Sequence, residues 1–260
     1  MENTGILFGE LIFGPVASRR LGTSLGINLL PVKGKLCNFD CIYCECGWTN
    51  LRALDVVQMP DRKSIREALQ CSMVRLSVKG TRLDSLTFAG NGEPTLHPRF
   101  KDIMKDVVEL RNQYFPECNI SVLSNSSMLH SKSVREGLLL ADRAIMKLDG
   151  GTEELYQQMN RPLKKRSLGQ IVEYLESFDG NLEIQTLFTR GIFRGRYLDN
   201  TAKYAVDRWL DLLKRIRPRR VMLYSIDRPT PAIALEKISA QEMEQVAMRV
   251  MGEGIAVQVR

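Results

Sequence analysis

The chain has 260 residues, of which 44% are hydrophobic and 26% are charged, and its formal net charge is +7. These proportions are ordinary for a soluble globular protein and exclude an intrinsically disordered chain. The positive charge favours anionic partners such as nucleotides, phosphorylated substrates or RNA, and says nothing about the fold.

The amino-terminal segment does not have the pattern of a secretory signal. It lacks a basic region, and Gly9, Glu10 and Gly14 interrupt its apolar run. No stretch approaches the roughly 18 consecutive apolar residues of a membrane span. The sequence therefore predicts a cytoplasmic protein without a membrane partner. In that reducing compartment, clustered cysteines indicate metal binding rather than disulfide bonds.

Strand and helix patterns alternate after a lead-in at residues 1–22. The predicted strands cover residues 24–30, 83–89, 119–123, 143–148, 182–188, 220–225 and 255–259. The predicted helices cover residues 63–78, 100–114, 131–140, 153–178 with a break near Pro162, 201–216 and 240–251. This alternation predicts right-handed βαβ units around a parallel sheet.

The length sets how far such a barrel can close. A complete (β/α)8 barrel needs about 250 residues and eight strands, and the pattern supplies six or seven strand–helix units. We therefore expect an α/β fold, a partial (β/α)6 TIM-like barrel, as a single domain over residues 1–260. The helix and strand within residues 226–260 are expected to close this barrel.

Three cysteines, Cys37, Cys41 and Cys44, follow the first predicted strand with the spacing C-x3-C-x2-C. Thiolates select zinc, copper(I) or iron–sulfur clusters. A [4Fe-4S] cluster normally takes four cysteines, so three would leave one iron open. Zinc instead needs a closed set of four ligands. The other cysteines and histidines occur singly, as Cys46, Cys71, Cys118, His97 and His130.

A glycine turn follows the second predicted strand. It consists of Gly90, Asn91, Gly92 and Glu93. Glycines let the backbone approach a ligand closely, and the carboxylate can pair with an ammonium group. Alone, such a stretch is more often a plain turn, but parallel barrels carry their chemistry after the carboxyl ends of the strands.

The later strand ends also carry polar side chains, namely Ser124, Asn125, Lys147, Asp149, Gln185 and Tyr224. Ser124 and Asn125 suit sugar hydroxyls or a carboxylate, or they cap a helix. Lys147 and Asp149 alternate and so point to the same side of their strand. They are either a ligand-binding pair in the pocket or a structural salt bridge.

Three basic segments accompany these positions. Arg19 and Arg20 precede the first strand and are either solvated or reach an anion near the cysteines. Residues 189–197 contain three arginines and are expected to form a flexible basic loop at the catalytic end. Residues 214–220 precede a strand and are therefore expected at the amino-terminal face of the barrel, opposite the catalytic end.

The cysteine triad, with Tyr43 before its last member, resembles the signature of the radical SAM enzymes, and residues 90–93 resemble their GGE motif. Together with residues 14–22, these stretches are similar to a subgroup related to the wyosine-type tRNA-modifying enzymes. The resemblance implies that the cysteines hold a [4Fe-4S] cluster whose open iron binds S-adenosyl-L-methionine (SAM). Reductive cleavage of SAM would give a 5′-deoxyadenosyl radical that abstracts hydrogen from a substrate.

The resemblance also implies SAM contacts along the carboxyl edge of the sheet. The glycine turn would receive the methionine amino group, Lys147 and Asp149 would contact the ribose or the methionine carboxylate, and Tyr224 would line the adenine pocket. The remaining cofactor contacts are assigned to Tyr43, Ser124, Asn125 and Gln185.

The implied protein is an iron–sulfur oxidoreductase or transferase acting on a small molecule, a nucleotide or a peptide. A flavodoxin or ferredoxin would supply its electron, and tRNA is a further candidate partner. Two alternatives stay open: an activase that places a glycyl radical on a partner enzyme, and a non-catalytic zinc-dependent nucleic-acid-binding module. For Cys46 three roles stay open: a packed side chain, a redox-active thiol or an added ligand. The two histidines are expected to be structural.

Overall fold

The computed structural model describes residues 5–49, 58–164 and 166–260. Its strands are β1 (Ile12–Ser18), β2 (Gly22–Ile27), β3 (Ser85–Phe88), β4 (Asn119–Ser124), β5 (Arg143–Lys147), β6 (Glu183–Phe193), β7 (Arg196–Asp199), β8 (Arg220–Ser225), β9 (Leu235–Lys237) and β10 (Ala256–Val259). Its helices are α1 (Arg62–Val78), α2 (Phe100–Tyr114), α3 (Lys132–Leu138), α4 (Glu153–Asn160), α5 (Leu168–Glu176), α6 (Lys203–Ile216) and α7 (Ala240–Gly252).

The strands form one sheet in the order β1-β2-β3-β4-β5-β6-β8-β10, with β7 and β9 paired to β6. From β2 to β10 the neighbours along this path are parallel, and β1 is antiparallel to β2. Over the described ranges the sheet is open, with β1 and β10 at its edges. The predicted α/β partial barrel is therefore confirmed, with β10 as a further parallel strand beside β8. The assignment of residues 1–260 to a single domain stays a prediction.

The lead-in, for which no strand was predicted, contains one, since residues 12–18 form an edge strand. Ile12 pairs with Ile27, and the Phe13 ring covers Gly26 so closely that a Cβ there would lie 2.1 Å from it. The arginine-rich residues 189–197 are not a loop either. They extend β6 and turn into β7, with Arg190 opposite Asp199.

Several helices begin at a side-chain cap. The Asp61 carboxylate accepts from the backbone N–H of Ser64 at 3.0 Å, and Ser167 and Ser239 each start a capping box. The break expected near Pro162 is present, since α4 ends at Asn160 and the following Arg161 has a left-handed conformation. None of the helices in these three ranges is both long and apolar enough to cross a membrane.

Each strand has one face toward the helices and the other face toward the barrel interior. Phe88 belongs to the main hydrophobic core, and Thr87, one residue earlier, faces the other way. There the hydroxyls of Thr87 and Ser24 lie 2.6 Å apart, and Ser85 bonds to Ser121 at 2.8 Å. The amino end of the barrel interior is thus filled by hydroxyl groups that satisfy each other.

Two further groups occupy the interior. Arg143 donates two hydrogen bonds to Glu183, at 2.9 and 2.7 Å, and only 3% of the glutamate side chain is exposed. A small hydrophobic cluster lies apart from the main core and consists of Leu21, Leu123, Ile145 and Met222. The turn between β1 and β2, which carries Leu21, therefore reaches into the barrel.

Candidate functional site

The cysteine loop follows β2 and is tied directly to the glycine turn after β3. Leu36 donates its backbone N–H to the Asn91 carbonyl at 2.8 Å and accepts from the Glu93 N–H at 3.1 Å. Gly92 between them has φ +138°, and a Cβ there would lie 1.9 Å from the Leu36 carbonyl oxygen. Only glycine permits this approach. The structure thus joins two stretches that lie more than 50 residues apart in the sequence.

N–H groups point at the first two cysteines. The Asn125 amide nitrogen lies 3.6 Å from Cys37 Sγ, and the Phe39 backbone N–H donates to the same sulfur at 3.4 Å. The Asn160 amide nitrogen lies 3.6 Å from Cys41 Sγ. Donors around sulfur stabilise an anionic sulfur rather than a neutral thiol.

Lys35 places a positive charge beside the three thiols. It is 6% exposed, and its ammonium donates to the Gly47 carbonyl at 2.7 Å. Among the described residues it has no carboxylate within ion-pair distance, and the anionic groups that act on it are the thiols of Cys44, Cys37 and Cys41. Burial would lower the pKa of Lys35, but these thiolates raise it above its ordinary value. A buried ammonium needs a counter-charge, and the sulfurs of the three cysteines are the groups beside Lys35 that could supply it.

The cysteines differ in their electrostatic surroundings. Burial raises the pKa of the Cys41 thiol to about 11 and raises that of Cys37 above its ordinary value. The pKa of Cys44 is lowered because the Cys46 thiol hydrogen-bonds to it, and the same contact raises the pKa of Cys46. Cys46 Sγ also lies 3.5 Å from the Gly90 carbonyl oxygen. Cys46 therefore lies between the triad and the glycine turn.

Glu93 fastens the glycine turn to the end of β4. Its carboxylate is 2% exposed and accepts from the Thr95 hydroxyl, from the Thr95 and Asn125 backbone N–H groups at 3.0 and 2.6 Å, and from the Ser124 hydroxyl at 2.9 Å. Burial raises the pKa of Glu93, and the bond from Asn125 opposes that rise. The structure thus brings Glu93, Ser124 and Asn125 together, and pairing of Glu93 with an ammonium group stays a prediction.

The Asn91 side chain is fully buried and bound to backbone groups. Its oxygen accepts from the Phe8 N–H at 2.8 Å, and its nitrogen lies 2.9 Å from the carbonyls of Phe8 and Pro31. Gly90 beside it has φ +135° and would clash with Asn28 if it carried a Cβ. These residues shape the turn, and the Asn91 amide has no donor hydrogen left for a ligand.

Lys147 and Asp149 do point to the same side of the sheet. The Lys147 ammonium lies 2.9 Å from the Tyr224 hydroxyl and 3.6 Å from an Asp149 oxygen. Asp149 also accepts from the Tyr43 hydroxyl and from the Leu187 N–H at 2.8 Å. Burial would lower the pKa of Lys147, but Asp149 and Tyr224 raise it. The pair is thus a buried ion pair that links β5 to the cysteine loop through Tyr43.

Gln185 and Tyr224 meet Arg20 in the barrel interior. The Arg20 guanidinium donates to the Gln185 side-chain oxygen at 3.3 Å and lies 4.7 Å from the Tyr224 ring centroid. Arg19, by contrast, is exposed and paired with Asp227. Of the two arginines considered in the sequence, only Arg20 turns inward.

Asn160 and Lys35 are site residues that the sequence reasoning missed. Asn160 is 2% exposed, and its amide also donates to Asp149 at 2.7 Å and to the Tyr43 hydroxyl at 2.8 Å. It is the last residue of α4, and nothing in its local sequence distinguishes it. Lys35 could have been noticed, because a cation two residues before Cys37 suits a thiolate site.

The other single cysteines and histidines take no part in this arrangement. His97 Nε2 lies 2.8 Å from the Pro60 carbonyl oxygen and its Nδ1 accepts from the Arg99 N–H at 3.1 Å, which makes it a structural turn residue. Cys71 is exposed on α1, and Cys118 is buried just before β4. In the described part of the chain, no group of three or more His, Cys, Asp or Glu side chains could hold a single metal ion.

Solved structures with the same fold are radical SAM enzymes. A radical SAM methyltransferase from Sphaerobacter thermophilus has a TM-score of 0.65 at 14% identity, covering 91% of this chain and 65% of that one. SuiB from Streptococcus suis, solved with bound S-adenosylmethionine, has a TM-score of 0.63 at 12% identity and covers 90% and 50%. Archaeal TYW1 has a TM-score of 0.52 at 13% identity and covers 88% and 72%. The fold implied by the cysteine and glycine motifs is therefore confirmed.

No family model matches the chain. It is 28% identical over 238 residues to a protein of Brachyspira hyodysenteriae named GTPase Obg, covering 90% of this chain but spanning only 32% of that one. It is 29% identical over 250 residues to a UPF0026 protein of Helicobacter pylori, covering 95% and 75%. The UPF0026 protein of Synechocystis is 32% identical over 226 residues, with 85% and 77% covered. On that identity and coverage, the chain belongs to the UPF0026 family, and its fold is that of the radical SAM enzymes.

Proposed function

We propose that this protein is a radical SAM enzyme in which Cys37, Cys41 and Cys44 hold a [4Fe-4S] cluster with one iron left open for SAM. The observation that carries the proposal is the buried Lys35 ammonium, which faces three thiols and has no carboxylate partner in the described residues. Such a charge is stable only beside an anionic group, and thiolates holding an iron–sulfur cluster are such a group.

The cysteines of the loop fit a [4Fe-4S] cluster better than they fit a zinc ion. A zinc site needs four ligands that converge on one ion, and even with Cys46 included no three His, Cys, Asp or Glu side chains of the described residues are placed to do so. A cluster spreads its thiolates around a cube of iron and sulfide. When bound, the cluster and SAM would supply the reductive cleavage of SAM and the abstraction of hydrogen from the substrate.

The residues of this chain bind and orient these groups. Lys35 balances the negative charge of the thiolates, and Asn125 and Asn160 donate N–H bonds to their sulfurs. Glu93 and Gly92 fix the glycine turn against the cysteine loop. Burial of the loop excludes water from the sulfurs.

We assign the SAM contacts to the carboxyl edge of the sheet. The backbone of Gly90 and Gly92 and the carboxylate of Glu93 would receive the methionine amino group, and Lys147 with Asp149 would bind the ribose or the methionine carboxylate. Ser124, Asn125, Gln185 and Tyr224 line the same edge. The electron would come from a flavodoxin or ferredoxin. The substrate class ranges over small molecules, nucleotides and peptides, and the structural neighbour SuiB has been solved with a precursor peptide.

Removal of a single triad cysteine tests the proposal. Anaerobically purified wild type is expected to contain about four iron and four sulfide per chain, and Cys37→Ala, Cys41→Ala and Cys44→Ala close to none. Cys71→Ala is the matched control, because this thiol is exposed on α1. Wild-type protein that carries zinc and neither iron nor sulfide would overturn the proposal.

Turnover of SAM provides the second measurement. With dithionite as reductant, iron-loaded wild type is expected to release methionine and 5′-deoxyadenosine from SAM, followed by liquid chromatography. Iron-loaded protein that leaves SAM intact would contradict an enzymatic role.

A further inference from the structure

The turn between β1 and β2 lies against the inner side of the distant strands. Leu21 packs with Ile145 and Met222, and Arg20 beside it contacts β6 and β8 through Gln185 and Tyr224. This turn is therefore part of the lining of the barrel interior.

The Arg20 guanidinium is only partly satisfied by the protein. A guanidinium has five N–H donors, and the Gln185 oxygen at 3.3 Å is the one side-chain acceptor for them among the described residues. No carboxylate there lies within ion-pair distance of Arg20. Arg20 Cζ lies 4.7 Å from the Tyr224 ring centroid, a cation–π contact, so the guanidinium is held between Gln185 and Tyr224 while other donors stay free of protein acceptors.

The neighbouring charges leave the positive charge of Arg20 uncompensated. Glu183, an acidic residue of the barrel interior, is bound by Arg143 at 2.7 Å. Asp149 is shared by Lys147, Tyr43 and the Leu187 N–H.

Tyr224 connects this region to the cysteine loop. Its hydroxyl accepts from Lys147, whose ammonium lies 5.1 Å from the Tyr43 ring centroid. A group bound by Arg20 would therefore lie inside the barrel, below the end at which the cysteines stand.

We propose that Arg20 binds an oxyanion group of the substrate, a phosphate or a carboxylate, in the barrel interior against Gln185 and Tyr224. That this group belongs to a substrate rests on the proposed function; the anion site itself does not. A planar guanidinium matches both oxyanions with two parallel hydrogen bonds, and a side chain already in contact with Gln185 and Tyr224 loses little freedom on binding.

Calorimetric titration of the cluster-loaded full chain with inorganic phosphate, and separately with acetate, tests this site. We expect one phosphate site in wild type and in Arg19→Gln, and an affinity about tenfold lower or worse in Arg20→Gln, as expected for loss of a charge-assisted contact. Arg19→Gln is the matched control because it removes an equal charge from the adjacent residue, whose partner is the exposed Asp227. Tighter binding of phosphate than of acetate would identify a phosphorylated substrate, and the reverse order a carboxylate.

Equal phosphate affinity in Arg20→Gln and Arg19→Gln, or no binding of either anion to wild type, would overturn the proposal. If Arg20→Gln fails to fold, Arg20→Lys takes its place. Lysine retains the charge but not the paired donors, so we expect weaker phosphate binding than in Arg19→Lys, and equal binding would count against the site.

The iron and sulfide content of wild type tests the proposed function independently. Protein that binds phosphate through Arg20 but carries no iron would refute the enzyme and retain the anion site.

Discussion

Asn160 joins three groups of the site through one amide nitrogen. That nitrogen lies 2.7 Å from an Asp149 oxygen, 2.8 Å from the Tyr43 hydroxyl and 3.6 Å from Cys41 Sγ. All three acceptors belong to residues that are less than 9% exposed. Water cannot easily replace these hydrogen bonds. This single side chain therefore links the cysteine loop, the end of β5 and α4.

Replacing Asn160 by alanine is expected to lower the free energy of unfolding by about 1–3 kcal/mol, because the buried acceptors lose their donor. Asn112→Ala is the control, since that side chain is exposed on α2, and we expect a change within about 0.5 kcal/mol. Urea unfolding followed by circular dichroism measures both. Equal stabilities of the two variants would show that the Asn160 contacts add nothing.

The sequence predicted residues whose type and spacing report chemistry on their own. The triad cysteines and Glu93 are such residues, and the structure brings them together after β2 and β3. It did not predict Asn160, because asparagine at a helix end is common and its partners lie up to 119 residues away. It also assigned Asn91 to the cofactor site, which stays a prediction for the Asn91 backbone, since the side-chain amide holds Phe8 and Pro31.

At the scale of elements, the contact between the cysteine loop and the glycine turn depends on Gly92. An alanine there would bring its Cβ to 1.9 Å from the Leu36 carbonyl oxygen in a backbone conformation that side chains rarely adopt. We expect Gly92→Ala to destabilise the protein by about 1–3 kcal/mol and to reduce its iron content. Gly34→Ala, near the start of the same loop and with nothing within 4 Å of the added Cβ, should leave both thermal unfolding and iron content unchanged. Similar behaviour of the two variants would contradict this account.

Helices α1 and α2 are held together by an ion pair that responds to pH. Asp106 accepts from Arg62 at 2.6 and 2.8 Å and from Arg66 at 3.0 Å. The hydrogen bond from Arg62 holds the pKa of Asp106 below its ordinary value. A carboxyl group with a lowered pKa stabilises the fold above its unfolded pKa of about 4 and loses that contribution as the pH falls through the folded value.

The measurement is urea unfolding of wild type and Asp106→Asn between about pH 7 and pH 3. The variant is expected to be less stable at neutral pH and to lose less stability on acidification. Glu67→Gln is the control, because its pairing with Lys63 at 3.8 Å is exposed and should contribute little. A wild-type acid dependence that Asp106→Asn leaves intact would contradict the assignment.

For the whole molecule, the open sheet predicts uneven local stability. Strand β5 has a neighbour on each side, whereas β10 is bonded to β8 alone and none of its residues is fully buried. Edge backbone groups open at lower free energy than central ones. Hydrogen-exchange mass spectrometry should therefore show faster exchange in peptides of β10 than of β5. Equal protection of the two strands would count against an open edge at β10.

The overall architecture was more predictable than its additions. Each parallel strand from β2 to β8 has its own apolar run before a helix, and the six-strand pattern follows from those runs. The antiparallel strand β7 was missed because Arg190, Arg194 and Arg196 make residues 189–197 look like a solvated loop, and β9 lies in a stretch for which no strand was predicted. In the fold, β6 pairs with both strands, and the Arg194 and Arg196 side chains stay exposed. Strand β1 was missed because glycine and proline interrupt it, although residues 12–13 and 16–18 still pair with β2.

The inward turn that carries Arg19 and Arg20 has a consequence for synthesis on the ribosome. Arg20 and its partner Gln185 are separated by 165 residues, so the first hairpin is made long before β6, one of the strands it contacts. Contacts of such high sequence separation form late and slow the folding of a domain. The hairpin and the early βα units must therefore wait in an incomplete state, and they are the part of the nascent chain on which a chaperone would act.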